Sequence, residues 1–126
     1  MDMRTPLGKV RGLGSAKEGT EHFWHQRLTA VANVPLMLFF VILVISMSSM
    51  DFVTARETMA HPVIAILTSL MVISGVIHMK LGMQIVIEDY IHTEGLKVLS
   101  LLANTFFSVL IGFSALYAIA KISFGG

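Results

Sequence analysis

His78 is the side chain from which chemistry can first be read. It stands inside a charge-free apolar run covering residues 58–79. A group that can ionise or bind a metal is costly in such a run, so it carries a functional hypothesis by default. Neutral imidazole is a common axial ligand of haem iron, and helix bundles place cofactors between facing helices. Gly75 and Gly82 lie three residues before and four after His78, on its face of a helix. Glycines there remove side-chain bulk where a flat porphyrin needs room. The same residues also describe a histidine bonded to a neighbouring helix, with glycines that let two helices approach closely.

Further along the same stretch come Gln84 and the polar trio Glu88, Asp89 and Tyr90. Asp89 follows His78 by eleven residues, about three helical turns or roughly 16 Å, near the same face. A cofactor in the core and a polar site at the mouth can therefore share one side of a bundle. The plainer alternative makes Tyr90 an interfacial aromatic, and Glu88 and Asp89 a solvated helix end.

These residues need elements long enough to hold them in a membrane. The chain has 126 residues, 55% hydrophobic and only 13% charged, with a mean hydropathy of +0.77. Soluble domains average about 45–50% apolar and about 25% charged residues. Charge-free runs cover residues 28–50, 58–79 and 98–120, and a spanning helix needs about 20 residues. In lipid the backbone must bond to itself, so each run is read as a helix. The fold class is all-α, an integral membrane three-helix bundle running up, down and up. The expected helices cover about 28–50, 60–89 and 97–121, behind an N-terminal arm and interfacial segment at 1–27.

Local signals refine the boundaries. Pro35 kinks the first helix or delays its regular part. Pro62 suits the first turn of the second. Thr20 is a plausible N-cap, the first nineteen residues are read as an extended arm, and Gly95 as the break before the third helix. The linkers, about 51–59 and 91–96, are short, so neighbouring helices are antiparallel.

Charge orients the bundle. Arg4, Lys9, Arg11, Lys17, Arg27, Lys80 and Lys97 fall on one side, and Arg56 and Lys121 on the other. The positive-inside rule puts the N-terminus in the cytoplasm or its equivalent and the C-terminus outside. The polar first 27 residues lack the apolar core of a signal peptide, so Met1 is expected to be the native start and the first helix a retained anchor. A net charge of +1 offers no field for nucleic acid. With no Cys, disulfides, Cys zinc sites and iron–sulfur ligation by this chain are excluded.

The stretch from His78 to Tyr90 reads His, three residues, Gly82-Met83, then Asp89-Tyr90. It resembles, without a gap, the signature of the small hydrophobic anchor subunit of succinate dehydrogenase. Arg27-Leu28-Thr29-Ala30 is similar to that family's Arg-x-Thr-Ala element. The length and three-helix layout fit as well.

The resemblance implies a b-type haem held with a second three-helix anchor subunit, beneath an iron–sulfur subunit and a flavoprotein subunit. It also implies ubiquinone as the substrate reduced at the membrane surface. His78 would be one axial ligand, with the partner chain giving the other. Tyr90 would donate its hydroxyl to a ubiquinone carbonyl, with Asp89 orienting the polar network around it. Arg27 would pair with a haem propionate or support the quinone pocket; simple interfacial anchoring is its alternative. Some relatives carry a His six residues before this Arg. Glu21 stands there instead, with His22, Trp24 and His25 close by, and His22 is carried forward as a haem-region candidate.

The expected function is thus the haem- and quinone-binding membrane anchor of a succinate:ubiquinone oxidoreductase, a subunit that does not itself bind succinate. The expected location is a bacterial inner membrane, with a mitochondrial inner membrane as alternative. An anchor of a quinol:fumarate reductase and a cofactor-free membrane scaffold are the rival readings.

Overall fold

The computed structural model describes residues 5–12 and 18–125. Among the described residues five helices occur in the order α1 (Pro6–Val10), α2 (Glu18–Met47), α3 (Phe52–Ala60), α4 (Pro62–Tyr90) and α5 (Glu94–Ser123). Three of them are long and apolar enough to cross a membrane: Thr20–Met47 within α2, all of α4 and all of α5, with 28, 29 and 30 residues. At about 1.5 Å per residue each exceeds a hydrocarbon layer of about 30 Å.

The architecture is the expected all-α membrane bundle, and the differences lie at the boundaries. α2 begins at Glu18, well before residue 28, so Thr20 is inside the helix and does not cap it. The polar segment ahead of the apolar run contains nothing that breaks a helical ladder. Pro35 also lies within α2. Its ring denies the Val31 carbonyl the usual donor, yet the helix continues to Met47. The expected extended arm contains α1, because Thr5 accepts from Gly8 N–H at 3.0 Å and Pro6 occupies the first helical position. Gly12, at φ +67°, follows the α1 C-cap in the left-handed conformation that glycine tolerates. Residues 13–17 of the arm lie outside the described residues.

The linker expected over 51–59 folds as the helix α3. Its half-buried residues include Ala55 and Met59, and it packs against α4 and α5. His61 ends α3 and starts α4, its ring accepting from Val63 N–H at 3.3 Å ahead of Pro62. Between α4 and α5 the turn is only Ile91, His92 and Thr93. Gly95 belongs to the first turn of α5 and is not a break.

α4 is the central element, packed against α2 on one side and α5 on the other. The α2 seam holds the buried Thr29. On the α5 seam Gly112 faces Val76, and a Cβ at Gly112 would meet a Val76 methyl at 3.6 Å, an ordinary contact. Asn104 of α5 donates to the Lys80 carbonyl at 3.0 Å, and Ser108 is almost fully buried nearby. Buried apolar side chains are few: Leu43, Ala65, Leu81, Ile87 and Ile119. Most Leu, Ile, Val and Phe side chains face outward, as lipid or further membrane helices require.

Candidate functional site

The seam between α2 and α4 brings His78 and the Arg27 region together. α2 contributes His22, Phe23, Gln26, Arg27 and Ala30; α4 contributes His78, Leu81 and Ile85. They line one open cleft of about 540 Å³, within the usual range of small-ligand sites. Residues 22, 23, 26, 27 and 30 recur at helical spacing on α2, and 78, 81 and 85 do so on α4, so each helix turns one stripe to the cleft. Thus His22, Arg27 and His78, the sequence-derived candidates for the haem region, share one cleft.

Arg27 is placed by an aromatic ring. Its guanidinium lies over Phe23, 5.1 Å from the ring centre, a cation–π contact. Phe23 meets Trp24 edge to face, with ring centres 6.0 Å apart at 81°. The cation is exposed and remains available to an anionic group at the cleft mouth.

His78 is half-buried and tied to α2. Its Nδ1 lies 3.2 Å from Thr29 Oγ1. The Thr29 hydroxyl is also 2.8 Å from the His25 carbonyl and 3.1 Å from that of Gln26. Ser74, one turn before His78, donates to the Thr29 carbonyl at 3.4 Å. Ser74, Thr29 and His78 therefore form a polar seam between two apolar helices. In the sequence Thr29 stands only as part of the Arg27–Ala30 motif, and nothing marks Ser74. The available signal was that a hydroxyl in an apolar span tends to bond across helices.

The two glycines beside His78 behave differently. A Cβ at Gly75 would meet nothing within 4 Å, whereas one at Gly82 would lie 3.6 Å from Gln26 Nε2. Gly75 borders a second groove, which also includes His78, Asn33 and Met37. Gly75 thus leaves space next to the imidazole, and Gly82 accommodates Gln26. Gln26 Oε1 is buried without a hydrogen-bond partner, an unmet acceptor beside the cleft.

Asp89 and Tyr90 close α4 and are exposed, with Tyr90 at 78%. Neither lines the His78 cleft. Glu88 accepts from Gln84 at 3.0 Å along the same helix. His61 caps the other end of α4, and His92 sits in the α4–α5 turn, so neither joins His78. Among the described residues no three His, Asp or Glu side chains cluster to hold a metal ion; a single axial haem ligand requires no such cluster.

The family model for succinate dehydrogenase/fumarate reductase transmembrane subunits matches residues 1–112. The chain belongs to this family. It is 34% identical over 125 residues to the succinate dehydrogenase hydrophobic membrane anchor subunit of Paracoccus denitrificans, covering 96% of this chain and 93% of that one. It is 33% identical over 109 residues to the subunit of the same name from Rickettsia bellii, covering 86% and 87%. A succinate dehydrogenase membrane anchor subunit from Reclinomonas americana is 32% identical over 92 residues, covering 68% and 73%. No solved structure matches. The matched region contains all of α2 and α4 and the first part of α5.

Proposed function

We propose that this chain is the membrane anchor subunit of a succinate:ubiquinone oxidoreductase and that it helps to bind a b-type haem and ubiquinone. Three features support this reading: family membership, relatives named as succinate dehydrogenase anchors and the α2–α4 cleft. The observation that carries it is His78, half-buried in an apolar seam and sharing that cleft with Arg27 and His22.

The residues fit a haem in their donor chemistry. His78 offers an imidazole nitrogen in a span, Gly75 leaves open space beside it, and Arg27 offers a guanidinium suited to a propionate. When bound, a b-type haem supplies a one-electron redox centre between the soluble subunits and the quinone. His78 would hold the iron, with a second three-helix anchor subunit supplying the further ligand. Arg27, with His22 nearby, balances carboxylate charge at the polar end of the cleft.

Tyr90 and Asp89 form the quinone-side contribution. Tyr90 donates its hydroxyl to a ubiquinone carbonyl, which stabilises negative charge as it develops on the oxygen. Asp89 orients the neighbouring polar groups. Both stand exposed at the end of α4, as a pocket completed by other subunits requires. An iron–sulfur subunit and a flavoprotein subunit dock on that side, the flavoprotein oxidising succinate. The N-terminus and the α4–α5 turn face the cytoplasm of a bacterial inner membrane.

The test is a reduced-minus-oxidised spectrum of the purified assembly, with and without His78→Ala. A b-type haem in the wild type and its loss in the variant are expected, while succinate oxidation by artificial acceptors persists. A wild-type assembly without haem would remove the ligand role and favour a cofactor-free scaffold. Copurification of a flavoprotein, an iron–sulfur protein and a second anchor is also expected.

A further inference from the structure

We propose that Thr29 is a positioning residue that holds His78 as the Nδ1–H tautomer, leaving Nε2 bare to bind the iron. The inference rests on the haem reading of the cleft and adds a residue that fixes which nitrogen is available.

The geometry follows from proton counting. A threonine hydroxyl has one hydrogen to donate and lone pairs to accept. The shortest contact of Thr29 Oγ1 is to the His25 carbonyl, at 2.8 Å, with the Gln26 carbonyl at 3.1 Å. Carbonyl oxygens only accept, so the hydroxyl hydrogen goes to the backbone of its own helix. The contact with His78 Nδ1 at 3.2 Å then requires hydrogen on the nitrogen, and Nδ1–H donates to Thr29 Oγ1. A neutral imidazole carries one ring hydrogen, so Nε2 keeps its lone pair. The bonding directions of the two ring nitrogens diverge, and Nε2 points away from the Thr29 seam.

The setting makes this bond consequential. Thr29 is 8% exposed, so little water competes for its hydroxyl. Ser74 bonds to the Thr29 carbonyl at 3.4 Å, which ties the backbone carrying the hydroxyl to the helix carrying His78. Metal-ligating histidines almost always donate their second ring N–H to such a partner, which fixes the tautomer and raises the ligand's basicity. A more basic imidazole favours ferric over ferrous iron, so losing the bond raises the haem potential.

Nitrogen-15 solid-state spectra of histidine-labelled complex from haem-starved cells test the tautomer without the cofactor. Difference spectra against His78→Ala assign the signals. Wild type and Thr29→Ser are expected to show His78 protonated on Nδ1 and bare on Nε2. Thr29→Val, which keeps the shape and loses the hydroxyl, is expected to show mixed tautomers. An Nε2–H tautomer in the wild type, or an unchanged population in Thr29→Val, overturns the proposal. In the haem-loaded complex, Thr29→Val is expected to lower haem affinity about 10-fold and raise the midpoint potential, with Thr29→Ser near wild type. Unchanged affinity and potential in Thr29→Val overturn the tuning role while leaving His78 as ligand. Haem retained in His78→Ala overturns the haem reading, and with it the consequence drawn for Thr29, whichever tautomer the nitrogen signals show.

Discussion

At the scale of single residues, Tyr90 at the end of α4 and Arg27 of α2 are assigned different tasks, and substitutions should separate them. Tyr90→Phe removes one donor hydroxyl from an exposed position. Ubiquinone reduction is expected to slow roughly 10-fold, the rate equivalent of about 1.4 kcal/mol. Haem content and succinate oxidation by an artificial acceptor should stay at wild-type levels. Quinone-reduction rates equal to wild type would exclude a role for the phenol. Arg27→Ala removes the cation over Phe23 and is expected to lower haem retention, measured as haem per complex. Arg27→Lys should restore only part of it, since an ammonium cannot fork onto a carboxylate. His78 stands out in the sequence as an imidazole inside an apolar run, and Arg27, Asp89 and Tyr90 stand out through the family motifs they occupy. Thr29 and Ser74 do not stand out as partners, since a hydroxyl can satisfy itself on its own helix and its cross-helix partner depends on packing.

At the scale of elements, the seams of α4 predict graded responses. Gly82→Ala should be tolerated, because the added Cβ meets Gln26 Nε2 at 3.6 Å, an ordinary contact. Gly82→Leu should push α2 from α4 and destabilise the assembled protein by about 1–3 kcal/mol, read by unfolding in detergent. On the α5 side, Asn104→Leu deletes the bond to the Lys80 carbonyl and should cost on the order of 1 kcal/mol. Ser108→Ala should be neutral or slightly stabilising, because Ser108 Oγ is buried with no partner. α3 carries a small pH signature. The Thr54 hydroxyl beside Asp51 holds its carboxyl below the usual carboxylate range. A lowered carboxyl contributes above its unfolded value and loses that contribution as pH falls through its folded value. A nuclear magnetic resonance titration should show Thr54→Val moving the Asp51 midpoint upward. α3 itself was missed in the sequence, since a nine-residue segment with a net-neutral Arg56-Glu57 pair carries little periodic signal.

At the scale of the whole molecule, the outward-facing apolar side chains call for lipid or further membrane helices around them. The chain has no Cys, so single cysteines can report its topology. A cysteine placed at Thr5 should resist an impermeant maleimide in intact cells, and one at Gly125 should react. The reverse pattern would invert the orientation proposed from Lys and Arg. Membership of the succinate dehydrogenase/fumarate reductase transmembrane family agrees with this open architecture. α2 and α5 flank α4 rather than closing around it, leaving both outer helices free to meet other chains.

Length, hydropathy and charge alone determined the three spans, because a bilayer permits few solutions for an uncharged run of about 20 residues. The spacing from His78 to Tyr90 also identified the family, because it specifies residue types as well as positions. Tertiary structure alone decided that α4 lies between the other two spans, that Gly75 opens a groove while Gly82 accommodates Gln26, and that Thr29 reaches His78. These depend on which faces of separate helices meet. Residues 29 and 78 lie far apart in sequence, and only the packing of α2 on α4 brings an oxygen and a nitrogen within hydrogen-bonding distance.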